Sequence, residues 1–251
     1  MAHDKLPVTK RDLHLWWRDD DAGCNAPSLA PLLALSRADA RPLGLAVVPA
    51  WLDEATVRLI RGEPTAEVLQ HGWTHANNAR MGDKSIELGG TATTADCLDL
   101  LRRGAARLRS AFDATFLPVL VPPWNRIADP VIERLHDAGY VGLSTHLDDR
   151  RGSALGLVQI NTHVDIIDWR GDRRMKPVDT LIDEVEHLLT QHGLPLIGIL
   201  SHHLVMTVDD VARLGRLFSA LEARHRCQWI APRMLFAAPE RLPHDPADRC
   251  S

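Results

Sequence analysis

The chain has 251 residues, of which 45% are hydrophobic and 25% charged. That composition excludes disordered, collagenous and disulfide-scaffold proteins. The formal net charge is −4, with basic residues scattered among acidic ones, so no nucleic-acid partner is expected. Cys24, Cys97, Cys227 and Cys250 have no paired spacing, which predicts free thiols. No run approaches 18 consecutive apolar residues and the first residues lack an apolar leader, giving an expectation of a cytoplasmic protein with no membrane partner. No Gly/Ser-rich or Pro-rich linker divides the sequence, which predicts one domain over 1–251 with 239–251 as a peripheral tail.

In chain order, short apolar or β-branched runs alternate with segments of helical period. Strands are expected at 13–18, 43–48, 68–70, 117–121, 141–144, 157–160, 164–167, 196–201 and 228–231. The clearest helix is 94–111, where Leu98, Leu101, Ala105, Leu108 and Phe112 recur at three- and four-residue steps. Helices are also expected at 177–192, with Pro177 at its start and Gly193 at its stop, and at 208–224 behind Thr207 as N-cap. Weaker helical patterns cover 28–37, 53–60 and 129–138, and 77–90 reads as a long loop. This alternation is that of a mostly parallel sheet with crossover helices, an α/β fold.

Polar clusters stand at the ends of the expected strands, where α/β proteins collect ligands and catalytic groups. The first is Arg18-Asp19-Asp20-Asp21-Ala22-Gly23. Three adjacent carboxylates repel one another unless a cation or an arginine sits nearby. Alternation along a strand would send Asp19 and Asp21 to one side and Asp20 to the other, unless a turn begins at Asp20.

The second cluster is His71-Gly72-Trp73-Thr74-His75. On a helical turn, residues four apart have Cβ atoms about 6 Å apart, from which both imidazoles reach one metal ion. Two histidines with one carboxylate leave positions open for water, and Asp21 is the candidate third ligand. Asp20 is then next in line to take a proton.

The third cluster, Val121-Pro122-Pro123-Trp124-Asn125-Arg126, follows another strand. Consecutive prolines stiffen the backbone and donate no N–H, so the Trp124 N–H is held in a defined direction and can serve an oxyanion. The last two clusters are Asp165-Ile166-Ile167-Asp168-Trp169 and Ile199-Leu200-Ser201-His202-His203. An aspartate beside such a histidine would hold its imidazolium form, as a general acid needs.

These five clusters, in this order, resemble the motifs of the polysaccharide deacetylase family, also called NodB-homology or carbohydrate esterase family 4. The resemblance implies a distorted (β/α) barrel of about seven parallel strands. It also implies one divalent metal, zinc first, with cobalt, iron, nickel or manganese open. The implied reaction is removal of an N-acetyl group from a carbohydrate. Asp20 matches the catalytic base, activating a water on the metal, and Asp21, His71 and His75 match the metal ligands. Trp124 falls at the backbone oxyanion donor and His202 at the general acid. Asp168 with Trp169 falls at the pair packed against that acid, and Trp73, Trp169, Asn125 and Arg126 fall beside the substrate. A register slip would make Asp19 the base and Asp20 the ligand.

Three positions depart from the family pattern. Val121 stands where the family has the arginine that pairs with the catalytic aspartate, leaving Arg18 or Arg126 to fill that role. Gly72 replaces Ser or Thr, and His203 stands where many relatives have Asp. The His-Gly-Trp form looks more like the allantoinase-like branch. This motivates a second reading, a cytosolic amidohydrolase acting on a small cyclic amide or ureide. A third is a non-catalytic sugar-binding relative. The partner is a small molecule or an oligosaccharide, and the sequence leaves the oligomeric state open.

Overall fold

A computed structural model describes residues 10–194 and 196–237; the expected tail at 239–251 lies outside them. The elements are β1 (Asp12–Ala22), α1 (Ala26–Ala38), β2 (Leu43–Val47), α2 (Glu54–Arg61), β3 (Ala66–His71) and α3 (Thr94–Phe112). Then come β4 (Phe116–Val121), α4 (Asp129–Ile132), β5 (Gly142–Leu143), β6 (Val158–Gln159) and β7 (Val164–Asp165). The last are α5 (Val178–Gln191), β8 (Leu196–Ser201), α6 (Val208–Arg224), β9 (Arg226–Trp229) and α7 (Pro232–Leu235). Strand order is β6-β5-β4-β3-β2-β1-β8-β7, and β9 pairs β1 off this path. Every strand pairing is parallel.

One bent segment closes the sheet into a barrel. Its first half bonds toward β5, through Ile160 N–H to Leu143 O and Thr162 N–H to Thr145 O. Its second half bonds toward β8, through His163 N–H to Gly198 O and the Val164↔Ile199 pairing. With β6 and β7 counted as one bent stave the barrel has the seven strands expected of it. β9 lies against the lower part of β1, at Asp12 to Leu15, where β2 does not reach.

Side-chain parity along β1 sorts the core from the site. Leu13, Leu15 and Trp17 join the large apolar cluster that packs the barrel against α1, α5 and α6. The alternate residues face inward. Trp16 meets Phe236 edge-on, ring centroids 6.2 Å apart. Phe236 follows α7 and packs with Ala46, Leu69, Val119 and Val121, plugging the barrel interior. Above this plug the inward residues of β1 are Arg18 and Asp20, both buried.

Several boundaries differ from expectation. β1 runs on to Ala22 instead of stopping at Arg18, because Asp19 and Asp20 each find a partner, as described below. The 129–138 segment breaks into α4 and a separate turn at His136–Ala138, ended by Gly139 at φ +85°. The long α3, α5 and α6 fall where their periodicity puts them, and α6 has the full capping box of Thr207 with Asp210. Cys24, Cys97 and Cys227 are free thiols. No helix among the described residues is long and apolar enough to cross a membrane.

Barrel closure generates a stability prediction. His163 Nδ1 accepts the Gly198 N–H at 2.9 Å, which requires the neutral ring. Burial, with His146 nearby, holds its pKa down at about 4 against an ordinary 6.5. The unfolded chain therefore binds this proton near pH 6.5 while the folded chain does not until about 4. The contribution is whole above pH 6.5, declines as pH falls from 6.5 to 4, and amounts to about 3 kcal/mol. Urea unfolding of wild type and His163→Asn, whose Oδ1 keeps the acceptor, should show this acid-side slope in the wild type only. Equal slopes would contradict the assignment.

Candidate active site

The chemistry-bearing side chains meet at the carboxyl ends of β1, β3, β4, β7 and β8, around a pocket of about 580 Å³. Its base is built on β1. Arg18 and Asp20 are two residues apart on one strand and so share the inner face. The Arg18 Nε lies 2.8 Å from Asp20 Oδ1, and its Nη2 donates to Asp20 Oδ2 at 3.0 Å. The same guanidinium donates to Ser144 Oγ, Thr145 O and Asn125 Oδ1. Arg18 thereby takes the place left open by Val121, and Arg126 does not. Part of Asn125's polar capacity is spent on holding Arg18.

Asp19 belongs to a different network. Its Oδ2 accepts from Ser201 Oγ (2.7 Å) and the His203 N–H (3.1 Å), and its Oδ1 lies 2.5 Å from His203 Nδ1. This ties β1 to the end of β8 on the outer side of the barrel. It also explains His203: the ring is a buried partner for Asp19. The pocket is lined by Asp20 and Asp21, without Asp19, so the slipped register has no geometric support. Strict alternation fails after Asp20 because the β1–β2 register shifts between Asp19 and Ala22 and Asp21 adopts φ +72°. A non-glycine residue there is uncommon, and such strain concentrates at functional sites.

Asp21, His71 and His75 each offer a ligand atom, all within 4.8 Å of one another. Both histidine Nε2 atoms lie 3.3 Å from Asp21 Oδ1, a buried atom with no hydrogen-bond partner. His71 Nδ1 lies 2.9 Å from the Val121 carbonyl. A carbonyl only accepts, so a proton sits on Nδ1, and Nε2, turned toward Asp21, is the atom left to meet a cation. An orphaned carboxylate oxygen between two nitrogen donors is a donor set that fits a divalent cation such as zinc. Burial opposes ionisation of Asp21, but His202 and His71 outweigh it and hold its carboxyl far below the usual range.

The two histidines are not on a helical turn. His71 ends β3, Gly72 takes φ +56°, and His75 takes φ +59°, so a bent loop brings the rings together, 5.2 Å between centroids. Glu87, from the long loop before α3, braces it. Its carboxylate accepts the Trp73 and Thr74 N–H groups and the Thr74 hydroxyl. A Cβ on Gly72 would lie 1.9 Å from Glu87 Oε2 and 2.8 Å from Pro123, which is why Ser or Thr cannot stand there in this chain. Glu87 was not singled out from sequence; a carboxylate in a Gly-bearing loop gave no periodic signal.

His202 follows β8. Its Nε2 lies 3.3 Å from Asp165 Oδ2, its Nδ1 3.6 Å from Asp21 Oδ2, and Trp169 packs edge-on at 4.9 Å. Burial would lower its pKa, but Asp165 and Asp21 overcome that and raise it to about 10. The carboxylate serving His202 is thus Asp165 and not the expected Asp168. Asp168 instead accepts the Arg170 and Gly171 N–H groups of a tight turn. Asp165 also accepts the Trp169 indole N–H at 2.8 Å, so residues three apart in sequence exchanged roles through that turn.

Of the remaining expected residues, Trp124, Asn125, Arg126 and Trp169 line the pocket and Trp73 does not. The Trp73 ring lies under Arg103, and Trp51 lines the pocket in its stead. Trp124 and Asn125 both take positive φ, and the hydrogen bonds of their loop come from the Asn125 and Arg126 N–H groups.

No family model matches the sequence, and no curated protein does. Solved structures do match. A putative polysaccharide deacetylase from Mycobacterium smegmatis is 14% identical with a TM-score of 0.63, over 92% of this chain and 91% of that one. A family 4 acetyl xylan esterase from Clostridium thermocellum, in complex with cobalt, is 14% identical with a TM-score of 0.54, over 88% and 90%. A mutant of a Bacillus anthracis carbohydrate esterase family 4 pseudoenzyme with restored enzymatic activity is 16% identical with a TM-score of 0.58, over 90% and 68%. The chain therefore has the distorted (β/α) barrel of the carbohydrate esterase family 4 polysaccharide deacetylases, and its sequence similarity to these structures is low.

The Arg18–Asp20 pair gives a direct test of how Asp20 is held. Arg18→Met leaves a buried carboxylate unpaired, which should lower unfolding stability by about 3–5 kcal/mol, measured in urea. A loss below about 1 kcal/mol would mean that the pair does not anchor this end of β1.

Proposed function

We propose that this chain is a divalent-metal hydrolase that removes an N-acetyl group from a carbohydrate. The observation that carries the reading is the convergence of the Asp21, His71 and His75 ligand atoms on one pocket with Asp20 and His202. Asp21, His71 and His75 would hold the ion, zinc being the first choice for a site of two imidazoles and one carboxylate. When bound, the ion would supply a polarised water and draw charge from the scissile carbonyl.

This chain's own residues supply the rest. Asp20, fixed by Arg18, takes the proton as the water oxygen bonds to the acetyl carbon. The Trp124 N–H donates to the oxyanion that develops on the carbonyl. His202, kept protonated by Asp165, then gives its proton to the nitrogen as the C–N bond breaks, so that acetate and a free amine leave. Trp51, Trp124 and Trp169 give the pocket aromatic walls, which suit the apolar faces of a sugar ring.

The test is acetate release from N-acetylated mono- and oligosaccharides by zinc- or cobalt-loaded protein. Asp20→Asn should lose at least about 10²-fold in turnover while binding metal as the wild type does, and chelation should abolish wild-type turnover. Wild-type-like activity in Asp20→Asn would refute the assignment of the base. Turnover of small cyclic amides with none of the N-acetyl sugars would replace the deacetylase reading with the amidohydrolase one.

A further inference from the structure

The rim of the same pocket carries charge that the proposed chemistry does not use. Arg126 and Arg173 both line it, from the loops after β4 and β7. The carboxylates at its base are already committed: Asp20 to Arg18, Asp165 to His202, and Asp21 to the candidate cation site it forms with His71 and His75. Neither rim arginine has a carboxylate within 4.0 Å among the described residues.

Both guanidinium groups are nonetheless held in place. Arg126 Nη1 donates to Ser85 O at 3.1 Å, which uses one of its five N–H groups. Arg173 lies over the Trp169 ring, 5.4 Å from its centroid. Its position follows from the turn that Asp168 organises: the Arg173 N–H donates to Asp168 O, and Arg173 itself takes φ +60°. That turn accounts for Asp168, which leaves His202 to Asp165. Trp169 in turn is fixed by its indole bond to Asp165. A cation stacked on a fixed indole and a second one tied by a single carbonyl are preorganised donors with most of their hydrogen-bonding capacity open.

Resting on the function proposed above, we infer that the substrate carries an oxyanionic group, a carboxylate or a phosphate, beside its N-acetyl group, and that Arg126 and Arg173 select for it. Planar guanidinium forks match such groups, and hydrogen bonds to a charged partner are the stronger class. A neutral sugar would leave both arginines without a counter-charge and so bind less well.

The experiment compares kcat/KM of metal-loaded wild type for N-acetylglucosamine, N-acetylglucosamine 6-phosphate and the carboxylate-bearing N-acetylmuramate, then repeats it with Arg126→Gln and Arg173→Gln. The inference predicts that one anionic sugar exceeds the neutral one at least about tenfold, and which one identifies the group. Each variant should lower that anionic-to-neutral ratio, chiefly through KM, by about tenfold, as loss of a charged hydrogen bond implies. Equal kcat/KM for all three sugars, or variants that leave the ratio unchanged, would overturn the inference while leaving the deacetylase reading standing. If no sugar is hydrolysed, calorimetric titration with the same three compounds still decides. Binding of an anionic sugar that weakens in both variants upholds the anion site; binding that ignores charge and variant alike removes it.

Discussion

The site depends first on a buried ion pair between neighbours on one face of a strand. Arg18 and Asp20 project into the barrel above an apolar plug, Arg18 fully buried and Asp20 exposed only where it lines the pocket. An ion pair there is held by geometry and by its further hydrogen bonds rather than by Coulomb attraction alone, because desolvating both charges is costly. The bonds from Arg18 to Ser144, Thr145 and Asn125 couple β1 to the ends of two other staves. They fix the carboxylate of Asp20 as a by-product.

Around this anchor the loops are bent to specification. Asp21, His75, Trp124 and Asn125 all take positive φ, a costly conformation for non-glycine residues that persists only when surroundings enforce it. Here the enforcement can be named. A register shift turns Asp21, Glu87 ties down the loop carrying the two histidines, and consecutive prolines lead into Trp124. The site groups are therefore brought together by the ends of three strands and the bends that follow them on one rigid barrel, which is how such sites are kept near productive geometry.

Much of the architecture was legible in advance. Parallel strands and the three long helices follow from periodicity, the barrel class follows from the family resemblance of the five clusters, and the polar runs at strand ends mark where the side chains collect. What was not legible depended on backbone conformation and on contacts distant in sequence. The left-handed residue at Asp21 overrides strand alternation, which no local pattern announces. Asp165 and Asp168 are chemically identical, and only the turn through Arg173 shows which one meets His202. Trp51 and Trp73 are likewise interchangeable in composition, and the loop path decides which faces the pocket. Arg18 was readable in principle: two residues from Asp20 on a strand, it had to share its face.

The central claim is that Asp21, His71 and His75 form a cation site facing Asp20 and His202. Anomalous diffraction at the cobalt edge, from crystals of the protein saturated with Co²⁺, measures this most directly. The account predicts a single strong peak in contact with all three residues and its loss in His75→Ala. A peak liganded instead by Asp19 or Asp20, or no peak at these residues at saturating cobalt, would contradict it.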